Sequence, residues 1–277
     1  MYLQWEWNRN REIERNDIMR ILISNDDGIQ AKGLEALVKA FCARKHTVIV
    51  SAPARQQSGM AHALNVGRPL ELVRGEELAA KYGIEAWAVD GTPTDSVKLY
   101  LEALAEEKPD VVVSGINHGA TLATDILYSG TVGAAMEGML HDIASFAVSM
   151  DVDSTISYEE AAEEFATILE RVMTAQKASD EPRPVFWNVN FPRAYMLGDD
   201  GRPQIVFGRQ GKRDYHNAFQ KQERTDGRIF YTVAGEIFDT DKSEPTDIYA
   251  VEHGYIAVTP LMVDLTDYVA IEKLLDR

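Results

Sequence analysis

Cysteine is almost missing from this chain. Cys42 is the only one in 277 residues, which excludes an intramolecular disulfide and suits a reducing compartment. A chain of this length buries about 70–75% of its unfolded surface and needs no such staple. Long apolar runs are also missing. None approaches the ~20 residues of a membrane span, so no membrane partner is expected. Positive charge is scarce, with 28 Lys and Arg against 44 Asp and Glu and a net charge of −16. Such a surface repels phosphate backbones and argues against nucleic-acid binding. A phosphorylated small molecule would therefore need a local cation or a helix terminus. Residues Met1 to Ile18 lack an apolar core and a small-residue cleavage site, so they do not read as a signal peptide. A cytoplasmic protein is expected. Met19 directly precedes the first strong strand, and residues 1–18 are expected to be a disordered extension rather than a segment docked through Trp5 and Trp7. Internal repeats are absent.

What is present is an alternation of strands and helices. Arg20–Asn25 reads as a strand, Gly33–Ala43 as a helix with Leu34, Leu37, Val38, Phe41 and Cys42 at helical spacing, and Thr47–Ser51 as a second buried strand. This is a βαβ unit with a right-handed crossover. Arg68–Arg74 and Glu85–Asp90 read as a pair of more exposed strands. Thr92 and Pro93 open a helix running to Ala105. Asp110–Ser114 is a continuous Val strand suited to a parallel sheet covered on both faces. A long loop over Gly115–Gly130 leads to a helix at Thr131–Leu140. Ser145–Ser149, a helix at Tyr158–Ala175 and a strand at Pro184–Val189 complete the body. The predicted fold is α/β, a Rossmann-like, doubly wound, mostly parallel sheet, with a core over residues 19–192. Residues 193–277 form a polar extension, in which Arg228–Ala234 would pair with Asp214–Gln222 as a hairpin. Gly254–Pro260 adds a strand and Tyr268–Asp276 a short helix.

In open α/β sheets ligands bind beyond the carboxyl ends of the strands, and four motifs fall there. Asn25-Asp26-Asp27-Gly28 places two carboxylates where a dinucleotide-binding protein would have bare glycine amides. Adjacent carboxylates repel phosphate and each other unless a hard dication such as Mg²⁺ or Mn²⁺ lies between them. Asp-Asp-Gly is also ordinary turn chemistry, so the motif alone leaves both readings open. Ser58-Gly59 offers a hydroxyl ligand or simply a helix cap. Asn117, in Ser114-Gly115-Ile116-Asn117-His118-Gly119, offers an amide oxygen or a turn residue, and His118 beside it is either a proton donor or an exposed loop side chain. Tyr128-Ser129-Gly130-Thr131 opens a helix, and its first amides form an anion site compatible with capping. Together they describe a dication and an anion pocket on one sheet edge, the layout of a metal-assisted phosphohydrolase.

In this order and spacing, ILISNDDGIQAKG, APARQQSG, GTPTDSVKL, SGINHG and DILYSGTVGAAMEG closely resemble the SurE family of survival-protein 5'/3'-nucleotidases. NVNFP, RQGKRDY and GYIAVTPLMVDLT extend the likeness over essentially all of residues 19–277. The resemblance implies a phosphomonoesterase for nucleoside 5'- and 3'-monophosphates, and for short polyphosphates, using one divalent ion (Mg or Mn) per subunit. It places metal ligands at Asp26, Asp27, Ser58 and Asn117. It places phosphate contacts at Ser129, Gly130, Thr131 and the position of Thr121, and implies a homodimer or homotetramer formed by exchanging the C-terminal arm. Three positions depart from the usual pattern: Thr121 stands for Asn, Ala54 for Asp and Gln57 for Arg. None removes an implied metal ligand. The implied reaction is in-line attack of water on phosphorus, with Asp26 or Asp27 accepting its proton. Three other protein classes share parts of this pattern. A phosphoaspartate phosphatase lacks a matching lysine and acidic loop, a signalling receiver lacks an Asp at Ser114, and a non-catalytic nucleotide sensor would bind without releasing phosphate.

Overall fold

The computed structural model describes residues 18–179, 183–217 and 219–275, so the expected N-terminal extension lies, but for Ile18, outside the described residues. The short β-branched runs become strands: β1 (Arg20–Ser24), β2 (Thr47–Pro53), β3 (Leu72–Arg74), β4 (Glu85–Val89), β5 (Val111–His118), β6 (Ala144–Met150), β7 (Phe186–Phe191) and β8 (Ile205–Phe207). They are followed by β9 (Lys212–His216), β10 (Phe219–Glu223), β11 (Ile229–Val233), β12 (Glu236–Asp241) and β13 (Ile256–Pro260). The helices are α1 (Lys32–Ala43), α2 (Glu76–Tyr82), α3 (Pro93–Leu99), α4 (Gly130–Leu140), α5 (Tyr158–Lys177), α6 (Asp247–Glu252) and α7 (Tyr268–Leu275). None is long and apolar enough to cross a membrane.

Nine strands form one sheet in the order β3-β4-β2-β1-β5-β6-β7-β13-β8. It is parallel except where β3 meets β4 and β13 meets β7. Side chains alternate across a strand, and β1 shows the consequence. Ile21 and Ile23 face a layer with Leu34, Leu37 and Phe41 of α1 and Phe165 of α5, while Leu22 faces Val97 and Ala134 on the other side. All three β1 side chains are fully buried, each contributing roughly 1.5–3 kcal/mol. Helices thus cover both faces, as the unbroken Val run of β5 requires. β1 has β2 on one side and β5 on the other, so strand order reverses at β1. The crevice at the carboxyl ends of β1 and β5 is the topological switch point.

The predicted start of α3 is there in full. The Thr92 hydroxyl accepts from Asp95 N while Asp95 accepts from Thr92 N, with Pro93 in the first turn. Other details differ. The strand expected over Arg68–Arg74 shrinks to β3, and α2, unexpected from the sequence, lies between it and β4. The loop expected from Gly115 begins later, because β5 runs on to His118. Asn117 and His118 pair with Ser149 and Met150 after a register shift, so tertiary pairing overrides the turn preference of Gly and Asn. A short 3₁₀ turn, Ala123–Leu127, follows.

Beyond Pro192, β8 and β13 extend the main sheet and α6 packs beside them. The strand expected at Arg228–Ala234 is β11, but its expected partner divides: β10 pairs with β11, while β9 pairs with β12. Every residue of β10 and β11 is exposed, and α7 buries none.

Candidate active site

The turn after β1 is shaped by Asn25, whose Nδ2 donates to Gly28 O (2.9 Å) and whose Oδ1 accepts from Gly28 N (3.1 Å). This local bonding holds the intervening carboxylates in place. Asp26 points inward and is only 4% exposed, while Asp27 is half-buried. The Thr131 hydroxyl donates to Asp26 Oδ1 at 2.6 Å. A Cβ on Gly130 would lie 3.0 Å from Asp26 Cβ and 3.1 Å from Pro93 Cγ, so the start of α4 approaches this closely because it has no side chain there. Asp27 Oδ2 accepts from His118 N (3.1 Å), and its Oδ1 lies 3.4 Å from Gln56 Nε2. The same Gln56 nitrogen donates to Ser58 Oγ at 3.1 Å, and Gln57 N donates to Asp26 O at 2.7 Å. The segments after β1 and β2, the end of β5 and the start of α4 therefore meet at two adjacent carboxylates.

Burial pushes the Asp26 carboxyl up, opposed by the Thr131 hydroxyl and reinforced by the charge of Asp27, to about 6. The donors reaching the pair are a hydroxyl, a side-chain amide and backbone N–H groups, those of Thr131 and of Asp26 itself included, and none of them is cationic. Two carboxylates, the Ser58 hydroxyl and an amide oxygen are the donor set of a hard divalent ion, and the uncompensated charge is what such an ion would balance. The amide belongs to Asn117. Its Nδ2 donates to Gly119 O (2.8 Å) and sits 3.5 Å from Thr121 Oγ1, which leaves Oδ1 as the end available to a cation.

Ser129 is the N-cap of α4, its Oγ accepting from Val132 N at 3.2 Å. Helix geometry leaves the Gly130 and Thr131 N–H groups without intrahelical acceptors, at the positive end of the dipole. Thr121 is buried behind Asn117. Its N–H donates to Asn190 Oδ1 (2.7 Å), its carbonyl accepts from Asn188 and Asn190, and its hydroxyl meets Ser149 Oγ at 2.9 Å. His118 Nδ1 lies 3.1 Å from the Tyr158 hydroxyl, whose pKa is raised by burial and by the charge of Asp27. Sequence reasoning missed Gln56, Tyr158, Asn188 and Asn190. Only the asparagines left a signal, as polar residues inside the buried run NVNF.

A second group of potential ligands lies along α4. Oxygens of Glu102 and Glu137 and a nitrogen of His141 lie within 4.8 Å of one another. Here the centre is already taken, because Lys98 Nζ donates to Glu102 Oε1 (2.7 Å) and Glu137 Oε1 (3.0 Å). Burial would raise the Glu137 carboxyl, but hydrogen bonds from His62 and Lys98 outweigh it and bring it to about 2. This cluster carries its own cation.

A family model for survival protein SurE matches residues 21–217. The chain is 42% identical to the 5'-nucleotidase SurE of Pelotomaculum thermopropionicum over 92% of its own length and 94% of the relative's. It is 42% identical to that of Gloeobacter violaceus over 90% and 91%. The crystal structure of the SurE protein from Aquifex aeolicus superposes with a TM-score of 0.74 at 38% identity, covering 93% of this chain and all of that one.

Proposed function

The chain belongs to the SurE survival-protein family, and on that premise we propose that the carboxylate pair at the β1–β5 crevice is the centre of its phosphatase chemistry. The protein is a 5'-nucleotidase that hydrolyses nucleoside monophosphates to nucleoside and phosphate. One observation carries the assignment of the site: segments from four parts of the chain meet at Asp26 and Asp27, which no cationic side chain among the described residues neutralises, beside the N-terminus of α4.

Asp26, Asp27, Ser58 and Asn117 would hold one divalent ion per subunit, Mg or Mn. When bound, that ion supplies Lewis-acid polarisation of a phosphoryl oxygen and activation of water for attack on phosphorus. The Gly130 and Thr131 N–H groups receive the equatorial phosphoryl oxygens, where transition-state charge collects, and the Ser129 cap fixes the turn that presents them. Thr121 supports the same pocket through its hydroxyl beside Asn117. One of the two aspartates takes the proton of the attacking water. Nucleoside 3'-monophosphates and short polyphosphates carry the same kind of terminal phosphoryl group and would use the same pocket. Phosphate release from a nucleotide panel with Mg²⁺, Mn²⁺ or EDTA tests this reading, and full turnover in metal-free buffer would sink it.

The exposed ladder of β10 and β11, with Phe219, Phe230, Tyr231 and Val233 open, is an unprotected edge of the kind proteins cover. Exchange of this arm between copies gives a homodimer or homotetramer, working in the cytoplasm. Light scattering should report a dimer or larger, and trimming residues 217–235 should disrupt assembly more than metal binding.

A further inference from the structure

The segment between β2 and β3 has no regular structure, yet it carries Ser58. Its start is tied by Ala54 N to Val89 O (2.8 Å), and further on Asn65 bonds both carboxylate oxygens of Asp95 (3.0 and 2.6 Å). Gln57 N, bonded to Asp26 O at 2.7 Å, ties the side of Ser58 nearer β2, whereas Ser58, Gly59 and Met60 themselves are exposed. What brings the segment down onto α4 lies just beyond them. Ala61 N donates to Tyr128 O at 3.0 Å. A Cβ on Gly133 would lie 2.1 Å from Ala61 O, so backbone rests directly on helix. His62 Nε2 then reaches Glu137 Oε2 at 2.8 Å, about 9 Å along α4 from the Thr131 end.

Glu137 is 2% exposed and is a poor choice for stability alone, since an apolar residue of similar volume often does as well in such a place. What a buried carboxylate supplies is orientation. Lys98 holds one oxygen at 3.0 Å, and His141 approaches the same oxygen at 3.3 Å. The other oxygen is directed at His62. With the carboxyl ionised, it can only accept, so His62 Nε2 carries the proton and donates. The proposed catalytic chemistry uses neither residue.

We propose that His62 is a positioning residue for metal binding: through Glu137 it clamps the β2–β3 segment onto α4 and so holds the Ser58 hydroxyl at the carboxylate pair. The inference rests on the ligand assignment made above for Ser58. A residue that orients a ligand typically changes metal affinity 10–100-fold when removed.

The test is Mn²⁺ binding to the full-length protein, followed by the electron paramagnetic resonance of free Mn²⁺. His62→Ala should weaken binding about 10-fold, and His62→Gln, which keeps a side-chain N–H of similar reach, should restore most of it. His141→Gln, which alters the same cluster from the C-terminal end of α4, should bind like the parent. In a Ser58→Ala background, His62→Ala should weaken binding no further, because both act through one ligand. Parental affinity in His62→Ala alongside weakened binding in Ser58→Ala overturns the proposal alone. So do additive losses, or a His141→Gln loss equal to that of His62→Ala. Parental affinity in Ser58→Ala removes the ligand assignment, and the proposal falls with it.

Discussion

Asp26 and Glu137 are both almost fully buried carboxylates, one touched by the first turn of α4 and one carried by that helix near its far end. Around Glu137 the chain supplies a lysine and two histidines, and the carboxyl sits near 2. Around Asp26 it supplies a hydroxyl, two backbone N–H groups and a second carboxylate, and the carboxyl sits near 6. Closeness of acidic and imidazole groups is thus a poor guide to where a cation binds. The informative quantity is charge left unbalanced. Glu137 is satisfied by its own protein and serves architecture, whereas among the described residues no cationic side chain reaches Asp26 or Asp27, and the ion proposed for that site would supply the missing charge.

The two carboxylates should differ most in turnover. Asp26→Asn or Asp27→Asn should each lower phosphate release by roughly 10³-fold with the fold intact, and EDTA should do the same to the parent. Circular dichroism beside the assay separates loss of chemistry from loss of structure.

Stability without metal sharpens the difference. The folded Asp26 carboxyl titrates near 6 against an ordinary value of 3.8, so between these values the folded state binds more protons than the unfolded one. In EDTA this group's contribution is therefore most favourable below about pH 4 and is lost as pH rises towards 6, by up to about 3 kcal/mol. Asp26→Asn should flatten that part of the stability profile in urea titrations, and it should raise the melting temperature of the metal-free protein at pH 7. Activity and stability would then move in opposite directions at one residue.

The smallest effect comes from making Glu137 resemble Asp26. Lys98→Met removes the ammonium from the cluster, and because the lysine is one-third exposed the cost should be about 1–2 kcal/mol rather than that of a fully buried pair. Thermal melts should show it as a drop of a few degrees. An unchanged melting temperature would mean that the two histidines alone balance Glu137.

Much of this contrast was legible in the residue order, but not all of it. Asp26, Asp27 and Asn117 could be placed on one edge because the apolar runs before them, ILIS and VVVS, are unmistakable strands and the topology of βαβ units aligns their ends. The helix start at Thr92 and Pro93 was visible because capping is local. What joins the site over distance was not. Thr131 and Asp26 are 105 positions apart, and nothing near Tyr158 or Gln56 marks them as neighbours of Asp27. Helix α2 escaped notice because it buries only Leu78, too little for a periodic signal. The true extent of β5 was hidden because its last residues are turn formers pinned by pairing with β6. The arm's pairing was blurred because one polar stretch feeds two ladders, and exposed strands have no buried face to fix their register.

The most direct test of where the cation goes is the stoichiometry of Mn²⁺ binding in two double variants, read by electron paramagnetic resonance. One replaces Asp26 and Asp27 with Asn, and the other replaces Glu102 and His141 with Gln. Binding at Asp26 and Asp27 requires one ion per chain in the parent and in the Glu102/His141 variant, and none in the Asp26/Asp27 variant. Retention of the ion by the Asp26/Asp27 variant, with its loss from the other, would contradict it.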